Sequence, residues 1–75
     1  MQQYGNQGGD SGVVAFQISA GVIVVKFSDG WHYIYNSARP GHAIVLEMQR
    51  LARNGQGLNS YISRVVKDRW ARRFQ

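Results

Sequence analysis

The 75-residue chain has no cysteine, a single proline and only four acidic residues. Without cysteine there is no disulfide, no thiolate nucleophile and no Cys-ligated zinc, so stability must come from packing or self-association. That usage fits a reducing compartment. No wholly apolar run exceeds four residues, as at 22–25, against the ~20 that a membrane-spanning helix needs. Residues 1–12 carry neither the basic start nor the apolar stretch of a signal peptide, and the expectation is a soluble cytoplasmic protein with no membrane partner. The histidines, His32 and His42, lie ten positions apart with few carboxylates, so no metal-ligand set of familiar spacing can be assembled. Ser28, Asp29 and His32 are triad-type residues, but they share one hairpin tip that offers no enclosed pocket, with His32 at the rim beside Phe27. The glycines of the N-terminal stretch lack the preceding strand and the Lys-Ser/Thr ending of a phosphate loop. The reading is therefore of a non-catalytic protein without metal or cofactor.

What is present is an uneven charge. Residues 1–36 set Lys26 against Asp10 and Asp29, whereas residues 37–75 set eight Lys and Arg against Glu47 and Asp68. A basic half attracts anionic partners over long range, nucleic acid first and acidic protein surfaces next. The same charge also fits a merely solvated basic surface.

Residues 1–12 are rich in Gly, Gln and Asn and nearly devoid of apolar side chains, which predicts a disordered tail ahead of one domain over 13–75. Alternation from Val13 to Ser19 predicts a first strand, turned at Ala20 and Gly21. The second and third strands flank Asp29 and Gly30, a pair suited to a two-residue type I′ turn. Such a turn sets Phe27 opposite His32, Lys26 opposite Tyr33 and Val25 opposite Ile34. Val14, Phe16, Ile18, Ile23, Val25, Phe27 and Ile34 then share a core face, and Lys26, Trp31, Tyr33 and Tyr35 share the other.

Pro40 fits the entry to a helix over 41–54, in which Ile44, Val45, Met48, Leu51 and Ala52 form one apolar stripe ended by Gly55. A second helix starts at Leu58 and buries Leu58, Tyr61, Ile62, Val65 and Val66. It is expected to run on as a basic arm bearing Arg64, Lys67, Arg69, Arg72 and Arg73. The macrodipole favours cations at that end, but it does not account for Trp70 and Phe74. The fold class expected is α+β, a three-stranded antiparallel meander followed by two helices packed on one face.

Over residues 22–69 the chain resembles the KTSC family, a small domain found at the C-terminus of some lysyl-tRNA synthetases and alone in bacterial or phage proteins. The resemblance rests on Val24 to Gly30, on Tyr33 and Tyr35 as a Tyr-x-Tyr pair, on Leu51 and Ala52, and on Gly55 to Asn59 followed by Ile62. Arg53, Gly57 and the Val65 and Val66 pair depart from the family pattern. The resemblance implies a small binding module, with RNA as the partner suggested for the family.

Three uses of the aromatic face stay open from the residues: base stacking, a protein or self-association surface, and ordinary packing. The reading followed is nucleic-acid binding, RNA ahead of DNA. Lys26, Trp31, Tyr33 and Tyr35 would stack and orient bases, and Arg64, Lys67, Arg69, Arg72 and Arg73 would hold phosphates. The alternative is a protein-interaction module, an inhibitor or adaptor of phage or mobile-element type, meeting an acidic protein or a second copy through the same face.

Overall fold

A computed structural model describes residues 1–5 and 12–75. Strands β1 (Gln2–Gln3), β2 (Val13–Ser19), β3 (Val22–Phe27) and β4 (His32–Asn36) precede α1 (His42–Asn54) and the short α2 (Leu58–Tyr61). The last helix widens over Ile62–Val66 into i→i+5 bonding, and β5 (Arg72–Phe74) follows. The sheet is a five-stranded antiparallel meander in the order β1 to β5. The α+β class is as expected, but the sheet has two more strands than the alternation pattern reveals.

The structure differs from the sequence reading at four places. At the N-terminus, Gln2 pairs with Phe16 and Gln3 with Ala15, where a tail over 1–12 was expected. Tyr4 is buried, meets Phe16 edge to face at 6.5 Å, and its hydroxyl accepts the Leu58 backbone N–H at 3.2 Å. It satisfies one of the free donors at the start of α2. The rest of the expected tail, 6–11, lies outside the described residues.

The β2 to β3 register follows the expectation from Ser19 opposite Val22 to Phe16 opposite Val25, and then a bulge sets Val13 opposite Phe27. One extra residue moves the side-chain parity: Val13 is fully buried and Val14 is exposed, the reverse of the simple alternation.

At the β3 to β4 turn the Phe27 N–H donates to Trp31 O and the Gly30 N–H to Phe27 O, closing a three-residue loop over 28–30. Gly30 adopts φ 92°, the left-handed residue that follows a type I turn in such loops. The Asp29 carboxylate accepts the Trp31 N–H at 3.0 Å. The loop is one residue longer than the expected turn, so Val25 pairs with Tyr33, Ile23 with Tyr35 and Lys26 with His32. A slip of one exchanges the faces. Tyr35 and Tyr33 enter the core side, while Ile34 and His32 go outward with Lys26.

The second helix stops at Val66. Lys67 takes φ 56° and its N–H donates to Ile62 O, and the Ala71 N–H then donates to Ile34 O at 2.8 Å, starting β5. A strand on the open edge of β4 satisfies backbone groups on both strands, which a helical continuation past the core would not. The basic helical arm is thereby replaced by a basic edge strand.

The core joins Val13, Phe16, Ile23, Val25 and Tyr35 of the sheet to Val45, Met48 and Ala52 of α1 and to Leu58, Ile62 and Val66. Both helical segments therefore cover one face. Gly55 ends α1 as expected, with φ 74° and its N–H on Leu51 O and Ala52 O. Gln49 is buried and donates from Nε2 to Ser19 O and Val22 O, both at 3.0 Å, pinning the first hairpin to α1. Among the described residues no helix is long and apolar enough to cross a membrane.

Candidate functional site

Two surfaces meet at the β4 to β5 edge. On the helix side, a cleft of about 520 Å³ is lined by Phe27, Tyr33, Tyr35, Trp70, Lys67 and Arg73, with Ile62 and Asp68 also on its wall. Its rings come from three elements. Phe27 ends β3, Tyr33 and Tyr35 stand two apart on β4, and Trp70 lies on the link that turns the chain into β5. Tyr33 meets Phe27 edge to face at 5.3 Å and Trp70 at 5.8 Å. The Arg73 guanidinium lies 5.1 Å from the Trp31 ring centroid and 4.9 Å from that of Trp70. Each such contact contributes about 0.5–1 kcal/mol at an exposed site and holds the guanidinium at the cleft.

Tyr35 has 1% of its surface exposed, and no hydrogen bond is made by its hydroxyl among the described residues. Burial, and then the neighbouring Tyr33, pushes its phenol well above the ordinary value of 10, so the group stays a neutral O–H donor even in the alkaline range where a free tyrosine ionises.

On the outer side, no helix covers the sheet among the described residues. Lys26 and His32 are paired across β3 and β4, and His32 is paired with Phe74 across β4 and β5. The His32 and Phe74 rings stack in parallel at 4.7 Å. The enclosed His32 Nδ1 makes no hydrogen bond. Arg72, opposite Ile34, shares this side. Phe74, and Val14 on β2, are exposed.

Of the nine residues singled out from sequence, Tyr33, Tyr35, Lys67 and Arg73 line the cleft, as its walls rather than as an open platform, and Trp31 is joined to it only through the Arg73 guanidinium over its ring. Lys26 and Arg72 lie on the opposite side of the sheet. The single face carrying Lys26 with Trp31, Tyr33 and Tyr35 is therefore corrected, because the longer turn separates the cation from the rings. Arg64 is exposed on the last helical turn, and Arg69 folds back to donate to Val65 O at 2.7 Å; neither joins the cleft or the outer face. His32, expected beside Phe27, sits instead between Lys26 and Phe74.

Sequence reasoning missed Phe27, Trp70, Phe74 and Asp68 as site-forming residues. The signal was the pair of aromatics among the terminal arginines, which neither a core stripe nor the macrodipole explains.

Among the described residues the one ion pair is between Arg50 and Glu47, at 2.6 Å on exposed α1. Its hydrogen bond lowers the Glu47 carboxyl below its ordinary value and raises the guanidinium. Among the described residues, the cations at the β4 to β5 end have no carboxylate in salt-bridge range. No family model, curated protein or solved structure matches the chain.

Proposed function

We propose that the protein is a small non-catalytic binding module for nucleic acid, with single-stranded or unpaired RNA ahead of duplex DNA. The observation that carries the reading is the edge strand β5, which projects Arg72 and Phe74 to the outer side and Arg73 to the cleft. Cations interleaved with accessible rings are the two components of sequence-tolerant single-strand binding. A double helix would use the charge but not the rings. The KTSC resemblance agrees with such a module and adds no residue to it.

The test is binding of a single-stranded oligoribonucleotide across a salt series. Lys26→Ala/Arg72→Ala should weaken binding and make the logarithmic salt slope shallower by about 0.7 for each phosphate no longer neutralised. Arg50→Ala, whose partner is Glu47, should leave both unchanged. Absence of binding at low salt, or equal slopes for wild type and the double variant, would overturn the reading. In the first case the exposed Val14 and Phe74 turn the search to a protein partner, whose apolar contact would be little affected by salt.

A further inference from the structure

The cleft between β4, the Lys67 turn and Trp70 has features that packing alone leaves unused. Tyr35 lies on its wall, almost wholly buried, and its hydroxyl makes no hydrogen bond to another described residue. The cleft leaves that hydroxyl able to donate to solvent or to a ligand that displaces it. The walls are aromatic, and the contacts of Tyr33 with Phe27 and Trp70, at 88° and 62°, are edge contacts rather than parallel stacks. The mouth carries Lys67 and Arg73 together with Asp68 and Asp29.

We propose that this cleft takes one unpaired nucleobase of a bound RNA strand, held between aromatic walls, with an acceptor on the base edge receiving the Tyr35 O–H and the adjoining phosphodiester meeting Lys67 and Arg73. The inference rests on the nucleic-acid reading above and assigns the cleft its part in it. The volume of about 520 Å³ falls within the ~300–1,000 Å³ of small-ligand sites. The charge at the mouth decides between a base in a strand and a free, highly charged nucleotide. Two carboxylates offset the two cations, so the cleft offers little net attraction to a triphosphate. A single phosphodiester meets no such obstacle when the rest of the strand is held by Arg72 and Lys26. A tyrosine phenol keeps its proton at neutral pH, so the group meets the base as a donor.

The test compares a short single-stranded oligoribonucleotide with the same ribose-phosphate backbone made abasic, each against wild type, Tyr35→Phe and Trp70→Leu. Removing only the hydroxyl should weaken the full oligonucleotide about 3- to 10-fold, and removing the indole about 5- to 150-fold. Tyr35→Phe should not change the salt slope, and the abasic strand should bind wild type and Tyr35→Phe alike. Tyr35→Phe preserves the ring that fills the core, so a fold lost in Trp70→Leu leaves the first variant decisive. Equal affinity of wild type and Tyr35→Phe for the full oligonucleotide would overturn the cleft assignment and leave the phosphate contacts standing. Equally tight binding of the abasic strand to wild type would do the same. No binding of either strand by wild type at low salt would overturn the nucleic-acid reading and this inference together.

Discussion

Replacing Gly30 by alanine separates the turn that the chain makes from any packing around it. Gly30 has φ 92°, and a Cβ built on it meets nothing within 4 Å. The substitution therefore leaves the surrounding packing intact and creates no clash with the rest of the fold. Its cost is the backbone conformation itself, roughly 1–2 kcal/mol for an L-residue in left-handed geometry. For a domain of this size each kcal/mol lowers the melting temperature by about 4–8 °C, so Gly30→Ala should melt about 4–16 °C lower. Thermal unfolding followed by circular dichroism measures the shift. Chemical synthesis supplies a sharper control, because D-alanine at position 30 favours positive φ and restricts the unfolded chain. It should stabilise by about 0.4–1 kcal/mol. An L-alanine variant melting within about 2 °C of wild type, inside the ordinary range for exposed sites, would refute the turn geometry. With it would go the register that turns Tyr33 and Tyr35 inward.

Two further perturbations probe the interior. Gln49→Met keeps most of the side-chain volume but removes both hydrogen bonds to the β2 to β3 turn; at about 0.5–1.5 kcal/mol each, chemical denaturation should show a loss of about 1–3 kcal/mol, and an unchanged midpoint would mean that Gln49 does not pin the hairpin. The Tyr35 phenol is raised above 10 in the folded state, so above that pH the unfolded chain releases a proton that the folded chain keeps. Stability is then fully present below pH ~10 and falls above it by up to about 1.4 kcal/mol per pH unit from this group. Tyr35→Phe should flatten that alkaline decline, and superimposable decline in the two proteins would contradict the burial of the phenol.

The elements with strong periodicity are legible in the residues themselves. The stripe of α1, its Gly55 end, the first hairpin register near Ser19 and Val22, and the α+β class all follow from local patterns. What escaped depended on single residues with non-local consequences. Asp29 and Gly30 suit a two-residue turn as well as the tail of a three-residue loop, and only pairing along β4 selects between them. That choice moved Tyr33 and Tyr35 from an expected open face to the wall of a cleft. The bulge at Val13 exchanged two valines that alternation cannot distinguish by type. Residues 72–74 are too short to show a period, and their arginines suit a helix C-terminus equally well; the free edge of β4 makes them a strand. Tyr4 stands in a polar stretch, and its partner at Leu58 is far away in sequence. The individual candidates Tyr33, Tyr35, Lys67 and Arg73 nonetheless converge, because these side chains line the cleft in the register that the chain adopts, and Trp31 joins them through Arg73.

The central claim, that single-stranded RNA meets the β4 to β5 end, is tested most directly by titrating the ¹⁵N-labelled protein with a short oligoribonucleotide at low salt and following its amide and indole resonances. The account predicts shifts concentrated at residues 32–35 and 72–74, at Lys67 and at the Trp70 indole, with the exposed side of α1 around Leu46 and Arg50 unmoved. An unchanged spectrum, or shifts confined to α1, would contradict it.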